Sequence, residues 1–175
     1  DKDGFEDVDG CPDPDNDQDK IPDVDDKCPL APETVNGIDD ADGCPDGPKR
    51  IVLTCERIEI DGKIFFATGK ADIRPQSFDL LDDVATTLRD HPDIKRIRIE
   101  GHTDSRGSAS YNSELSAQRA ASVLTYTQEK GVAAGRMTSQ GFGEDQPIAS
   151  NANPEGMARN RRVEFVILER EGCKR

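Results

Sequence analysis

Apolar residues recur with two different periods after residue 50. Alternation of apolar and polar positions predicts strands within residues 58–66 and at 97–99, 136–139 and 163–167. Spacings of three and four residues predict two helices, over residues 77–90 and 112–130. Pro92 and Gly131 follow these helical stretches and mark where each helix ends. Before residue 50 large apolar residues are few, and no helix or strand is predicted.

The predicted elements follow one another in the order β-α-β-α-β-β. This order is typical of an α+β domain whose helices pack on a mixed sheet. We therefore expect a two-layer α+β sandwich over residues 49–175. Residues 1–48 form a separate, irregular segment, which we expect disulfides and calcium to stabilise.

Charge separates the same two parts of the chain. Residues 1–48 contain 17 acidic and three basic residues, a net charge of −14, whereas residues 49–175 contain 19 acidic and 20 basic residues. A segment with so much like charge and so little apolar surface cannot offset its ordering entropy by burial. Something other than a core must therefore order it. The acidity also argues against a nucleic-acid partner, because phosphate binding requires a basic surface.

The acidic segment contains an internal repeat, in which residues 3–11 match residues 36–44 at a period of 33 residues. Between the two copies, aspartates occupy positions 1, 3, 5, 9 and 12 of a twelve-residue stretch: Asp15, Asp17, Asp19, Asp23 and Asp26. At this spacing an EF-hand-type loop places carboxylate oxygens around calcium. Lys20 stands where such a loop usually has its turn glycine, and no flanking helices are predicted, so we do not expect an EF-hand proper.

The Asp-x-Asp-x-Asp runs and Cys-Pro steps of residues 1–47 resemble thrombospondin type 3 repeats. The resemblance implies that calcium binds along a chain with almost no core, so Ca²⁺ is the expected cofactor. The expected ligands also include residues of the two repeat copies, namely Asp3, Asp7, Asn36, Asp40 and Asp42. A solvated acidic linker is the alternative interpretation.

Five cysteines, at positions 11, 28, 44, 55 and 173, lack the short spacing of a zinc site and favour disulfides. We expect Cys28 to pair with Cys44, because both flank a stretch in which little else could hold the chain. Cys55 and Cys173 bracket the second domain and form the other expected pair, since the termini of compact domains often lie close together. Cys11 is then left for a partner upstream. The rival pairing joins Cys11 to Cys28 around the twelve-residue loop.

Five ordered motifs in the second domain carry a family resemblance. They are FATGKADI at residues 66–73, IEGHTDSRG at 99–107, YNSELSAQRA at 111–120, GFGEDQP at 141–147 and NRRVE at 160–164. Residues 55–170 resemble the OmpA-like (OmpA/MotB) peptidoglycan-binding domain, which is shared by outer-membrane porin-like proteins, the peptidoglycan-associated lipoprotein and flagellar stator subunits. The resemblance implies non-catalytic binding of the diaminopimelate residue in the stem peptide of peptidoglycan.

The resemblance also implies a role for individual residues. Asp104 matches the family's carboxylate for the ligand ammonium, and Arg119 matches its guanidinium for the ligand carboxylate. Asn112, Leu115 and Arg119 share one face of the second helix, which we expect to turn toward the loop that carries Asp104. The predicted peptidoglycan-binding residues are Asp104, Arg119, Thr103, Asn112, Leu115 and Arg161.

These observations favour a binding module that anchors the outer membrane of a Gram-negative cell to the cell wall. This part of the chain would lie in the periplasm, and an upstream β-barrel or lipid anchor would provide the membrane attachment. The sequence contains no run of about 18 apolar residues that could span a membrane itself.

Two other functions compete with this interpretation. A peptidoglycan hydrolase would use Glu100 and Asp104, but both lie at one strand end, whereas glycosidic cleavage needs carboxyl groups on opposite sides of a sugar. We therefore expect no enzyme activity, and we expect His102 to pack or form hydrogen bonds. A calcium-dependent structural or adhesion protein of the cell envelope is the other alternative.

Overall fold

The computed structural model describes residues 14–35, 40–45 and 50–173. The chain divides into two compact units, Asp1–Lys49 and Arg50–Arg175. Cys11 and three of the predicted calcium ligands, Asp3, Asp7 and Asn36, lie outside the described residues. None of the helices in the described ranges combines the length and the apolar character that a membrane span requires.

The described residues of the second unit form a mixed sheet with three α-helices. The strands are β1 (Ile51–Leu53), β2 (Arg57–Ile60), β3 (Ile94–His102), β4 (Met137–Gly143) and β5 (Val163–Arg170). The helices are α1 (Phe78–Asp90), α2 (Ala109–Glu129) and α3 (Pro154–Asn160). The strand order is β1-β2-β5-β3-β4, in which β3 and β4 are parallel and the other neighbours are antiparallel. The predicted α+β class with helices on a mixed sheet is confirmed.

The order of elements differs from the prediction at three places. Strand β1 and helix α3 were not predicted, because three and seven residues are too few to show a period. The apolar run at residues 64–66 is not a strand; Phe66 forms only an isolated bridge to Ile73. The observed order is therefore β-β-α-β-α-β-α-β rather than β-α-β-α-β-β.

The core lies between the sheet and helices α1 and α2. Helix α1 ends at Asp90, just before Pro92, and its buried face includes Leu81, Val84 and Leu88, all 0% exposed. Burying an aliphatic side chain of this size stabilises the fold by roughly 1.5–3 kcal/mol. The opposing sheet residues come from the inward positions of β3 and β5, which the alternating pattern predicts: Ile97, Ile99, Phe165 and Ile167.

Two glycines let α2 lie directly on β3 and β4. A Cβ atom on Gly101 would lie 2.2 Å from the carbonyl oxygen of Ser116, and one on Gly141 would lie 2.3 Å from the amide nitrogen of Ala117. The Ser116 hydroxyl accepts a hydrogen bond from the amide of Gly143 at 2.9 Å, which links α2 to the end of β4. This close approach brings the first half of α2 next to the end of β3.

A disulfide ties the two ends of the second unit together. It joins Cys55, between β1 and β2, to Cys173, just after β5, with the Cα atoms 5.6 Å apart. The predicted bridge across this domain is therefore present.

The first unit is held by a disulfide and polar contacts, and its described residues contain no helix or strand. Cys28 pairs with Cys44, which excludes the rival pairing of Cys28 with Cys11 in this structure. Gly43, at a φ of +75°, lies against Asp26, where a Cβ atom would meet the carboxylate at 1.9 Å. The chain from Cys28 to Cys44 thus closes against the end of the aspartate loop.

Candidate functional site

Asp104 lies just beyond the end of β3 and is only 5% exposed. Its carboxylate accepts hydrogen bonds from the Arg106 amide at 3.0 Å and from the Arg161 guanidinium at 2.5 Å. Burial alone would raise the pKa of Asp104, but these hydrogen bonds and the charge of Arg106 lower it below the usual 3.8. Asp104 is therefore a fixed anion at neutral pH.

Arg119 presents a cation from α2. Its Nε donates to the carbonyl oxygen of Lys70 at 3.0 Å, and its guanidinium carbon lies 5.0 Å from the centre of the Phe66 ring. Burial is the main cause that lowers the pKa of Arg119, yet an arginine stays protonated in proteins. In the described part of the chain no carboxylate forms an ion pair with Arg119. Its terminal nitrogens can therefore bind an anion.

The predicted face of α2 does turn toward the Asp104 loop. Ser108 caps the start of the helix by accepting a hydrogen bond from the Tyr111 amide. Asn112 is 2% exposed, and its amide donates to the Asp104 carbonyl at 3.2 Å and to Glu144 at 2.5 Å. These bonds fix the loop that follows β3 against the helix.

Two further predicted residues adjoin Asp104. The hydroxyl of Thr103, a residue only 5% exposed, has no hydrogen-bond partner among the described residues. Arg161 follows α3, and the side chain of the preceding Asn160 binds the amides of Ile148 and Ala149 at 2.9 Å each. Asn160 therefore anchors the loop before α3 and positions Arg161.

A cavity of about 230 Å³ adjoins these groups. Its lining includes Phe66, His102 and four basic residues, Lys63, Arg119, Arg161 and Arg162. Of these four, Arg161 is paired with Asp104 and Arg162 with Glu164, at 2.5 Å in each case. The surplus of positive charge makes the cavity suited to a ligand that carries at least one anionic group.

The sequence did not single out His102 as part of this cavity. Its ring is 2% exposed and stacks on Phe142 at 5.4 Å between centroids, so the expected packing role is present. Neither ring nitrogen has a hydrogen-bond partner in the described ranges; the carboxylate of Glu100 is 3.6 Å from Nε2, too far for a hydrogen bond. Burial, and then the charge of Arg162, lower the pKa of His102 below 6.5, so the ring is neutral at neutral pH.

The same histidine belongs to a cluster that has metal-ligand chemistry. One potential ligand atom from each of Glu100, His102 and Glu164 lies within 4.8 Å of the others. Both carboxylates are already paired with guanidinium groups, which belong to Arg57, Arg98 and Arg162. A divalent cation would add charge to a cluster that is already neutralised, so this donor set does not fit a metal ion.

The acidic unit contains a second candidate site. One carboxylate oxygen from each of Asp15, Asp17 and Asp19 lies within 4.8 Å of the others. Burial is the main cause that raises the pKa of Asp17, and the neighbouring carboxylates raise it further. Hard carboxylate oxygens in this arrangement fit calcium, which would remove the repulsion.

Buried oxygen atoms around this cluster point to the same chemistry. Asn16 and Asp26 are each 8% exposed, and each has a side-chain oxygen without a hydrogen-bond partner among the described residues. One buried carboxylate oxygen of Asp15 and one of Asp17 also lack a hydrogen-bond partner among these residues. Unsatisfied buried acceptors are costly, and a cation would satisfy them.

Lys20, at position six of the loop, adopts the left-handed conformation with a φ of +81°. Its amide donates to the Asp15 carboxylate at 3.0 Å. The turn that a glycine usually makes in calcium loops is therefore present, although a lysine makes it.

Among the described residues, the other predicted calcium ligands are not members of the three-aspartate cluster. Asp23 accepts a hydrogen bond from the Asn16 amide at 2.9 Å, which closes the loop. Asp42 accepts from the Cys44 amide and pairs with Lys27 at 3.1 Å, and these contacts lower its pKa. Asp40 is exposed. A calcium-binding role for Asp23, Asp40 and Asp42 stays a prediction.

Comparison with known proteins finds relatives that share the second unit of this chain. The sequence profile of the OmpA family matches residues 65–161. Peptidoglycan-binding protein ArfA of Mycobacterium tuberculosis is 45% identical over 106 residues, which are 61% of this chain and 32% of that protein. Outer membrane porin F of Pseudomonas aeruginosa is 39% identical over 158 residues, 87% of this chain and 41% of that protein. The solved cell wall anchor of the T6SS from Pseudomonas aeruginosa has a TM-score of 0.59 and 32% identity, covering 69% of this chain and 89% of that one. The chain thus spans less than half the length of ArfA and of porin F.

Proposed function

The chain belongs to the OmpA family, and on that premise we propose that residues 50–175 bind peptidoglycan without catalysing a reaction on it. Similarity to the mycobacterial peptidoglycan-binding protein supports this proposal, and so does similarity to the cell wall anchor from Pseudomonas aeruginosa. We further propose that the unit lies in the periplasm and anchors the outer membrane to the wall.

The ligand group we propose is the free end of diaminopimelate, which carries one ammonium and one carboxylate. The observation that carries the proposal is the pair formed by an ionised Asp104 and an Arg119 without a carboxylate partner in the described residues. Asp104 raises and Arg161 lowers the pKa of Arg119, so the three charges lie close enough to influence one another. A zwitterion can place its ammonium at Asp104 and its carboxylate at Arg119, where a guanidinium can bind both oxygens.

The state of Asp104 also disfavours hydrolysis. A general acid that cleaves a glycosidic bond must be protonated, and its pKa is therefore usually raised. Hydrogen bonds lower the pKa of Asp104, and Arg98 contacts the carboxylate of Glu100 at 2.6 Å. Arginines hold both carboxylates, which supports binding as the function.

Retention on purified sacculi tests the proposal. Asp104→Ala and Arg119→Ala should each weaken binding by roughly 2–5 kcal/mol, because the partner charge of the ligand is left desolvated without compensation. Arg96→Ala, which removes an exposed arginine outside the cavity, is the matched control and should bind like the wild type. Wild-type retention of both site variants, with unchanged circular dichroism, would exclude this site.

For the acidic unit we propose calcium binding at Asp15, Asp17 and Asp19, which makes the segment a rigid spacer. The buried unsatisfied oxygens around these residues carry this proposal. Calcium titrated into fully chelated protein should release or absorb heat and make residues 1–47 resistant to protease. Absence of any heat change would contradict it. A calcium-dependent structural or adhesive role of the acidic unit is the second candidate function.

A further inference from the structure

Strands β2 and β5 separate after only two paired residues. Arg57 pairs with Val166 and Ile58 with Phe165. Beyond these pairs β2 continues beside β1 alone, and β5 continues beside β3 alone. A groove of about 400 Å³ opens where the two strands diverge.

The β5 side of this groove offers peptide backbone. The Arg162 carbonyl accepts from the His102 amide on β3, whereas the Ile167 amide donates to Glu56 on the β2 side. Because backbone groups alternate in direction along a strand, those of Val163 point toward the groove beyond the last β2 pair. An extended peptide can bind such an edge.

The groove adjoins the cavity beside Arg119. Lys63, Ile64 and Arg162 line both. Lys63 donates to the carbonyl of Ala158 on α3 at 2.6 Å, which fixes its ammonium between the two spaces. A ligand held in the cavity can therefore extend into the groove.

Away from the cavity the groove is lined by two arginines, Arg57 and Arg159, and by two glutamates, Glu59 and Glu164. Arg57 and Arg162 are both paired with Glu164, but Arg159 is exposed and forms no ion pair or side-chain hydrogen bond within the described ranges. Ile148, which is 51% exposed, adds an apolar surface beside these charges. The charge of Arg159, which is unpaired among the described residues, suits an extended peptide that carries a carboxylate.

We propose that the groove is a second subsite, which binds the peptide that continues from the residue held in the cavity. Arg159 contacts a carboxylate of that peptide, and the edge of β5 at Val163 contacts its backbone. The proposal rests on the proposed function, since the cavity must hold the first residue of the same ligand.

Titration calorimetry of the full chain with two probes tests this subsite. Free meso-diaminopimelic acid reaches the cavity only, whereas the tripeptide L-Ala-γ-D-Glu-meso-diaminopimelate also reaches the groove. Arg159→Glu should weaken tripeptide binding roughly threefold to tenfold, since an exposed charge pair is replaced by repulsion, and leave binding of the free amino acid unchanged. The milder Arg159→Gln should weaken the tripeptide less, and Arg96→Glu should have no effect.

The outcomes separate the two proposals. Wild-type binding of both probes together with an unchanged tripeptide affinity in Arg159→Glu overturns the second subsite and leaves the proposed function intact. Equal losses for both probes also overturn it, because Arg159 would then act on the cavity. Failure of the wild type to bind either probe overturns the proposed function and this inference with it.

Discussion

Asp104 and Arg119 have different kinds of partner in the structure. This difference decides which ligand groups the site can bind. Asp104 accepts hydrogen bonds from two arginines, whereas Arg119 contacts a carbonyl oxygen and an aromatic ring. The sequence motifs named Asp104, Arg119 and Arg161, which the structure places near one another, and their role in binding stays a prediction. They did not predict that Arg161 pairs directly with Asp104, because Arg161 is 57 residues away and reaches it only through the position of α3.

Acid should destabilise the fold through His102. Its pKa in the folded protein is lowered below 6.5, so the folded state binds fewer protons than the unfolded chain as the pH falls. The contribution of the neutral ring to the free energy of unfolding is fully present above pH 6.5. It is lost as the pH falls below 6.5, by up to about 1.4 kcal/mol per pH unit. Glu100, Glu164 and Arg162 face the same ring.

Urea denaturation at pH 7.5, 6.5 and 5.5 measures this effect. His102→Phe keeps a flat ring against Phe142 and removes the titrating group. The stability of the wild type relative to this variant should therefore fall with decreasing pH. A difference that stays constant over the three pH values would show that His102 does not titrate as we infer.

Calcium affinity should depend on the backbone at Lys20. A left-handed conformation costs a residue with a side chain about 1 kcal/mol relative to glycine, or about fivefold in affinity. Lys20→Gly should therefore bind calcium more tightly than Lys20→Gln, which also removes the charge but keeps the strained φ. Equal affinities of the two variants in calorimetry would exclude backbone strain as the cause.

At the scale of elements, the contact of α2 with the sheet places the site. Gly101 and Gly141 allow this contact, and both belong to motifs that the sequence shows. Helix α1 was predicted to within one residue of its ends, whereas β5 continues three residues beyond its predicted end. Strand β1 and helix α3 were missed because elements of three and seven residues carry no readable period, yet α3 positions Arg161.

Gly101→Ala should separate α2 from β3. Its methyl group would lie 2.2 Å from the carbonyl oxygen of Ser116 in α2. We therefore expect the free energy of unfolding to fall by roughly 1–3 kcal/mol. We also expect weaker binding to the cell wall. Gly135→Ala is the matched control, since no atom lies within 4 Å of the added group. Thermal unfolding compares the two, and equal melting temperatures would refute the role of Gly101.

At the scale of the whole molecule, the two disulfides act on separate units. Both pairs followed from their positions in the sequence, whereas Cys11 lies outside the described residues. The aspartate loop is similar, because the spacing of Asp15, Asp17 and Asp19 predicted that their carboxylates lie close together. The sequence did not predict that Asp42, a residue of the repeat, pairs with Lys27.

Loss of the Cys55–Cys173 bridge should destabilise the second unit. It closes a loop of 118 residues, for which restriction of the unfolded chain predicts roughly 4–5 kcal/mol. Replacing both cysteines by serine should lower the melting temperature of this unit, whereas the same change at Cys28 and Cys44 should not. A melting temperature equal to that of the wild type would contradict the prediction.

The proposed site binds a zwitterion between Asp104 and Arg119, next to the cavity that Arg119 and Arg161 line. An NMR titration of the ¹⁵N-labelled chain with meso-diaminopimelic acid tests it most directly. The control ligand is Nα-acetyl-L-lysine amide, whose free end carries an ammonium but no carboxylate. We predict saturable shifts of the amides around Asp104, Asn112 and Arg119, with much weaker binding of the lysine derivative and none of either ligand by Arg119→Ala. Absence of saturable shifts in this region, or equal binding of both ligands, would contradict the claim.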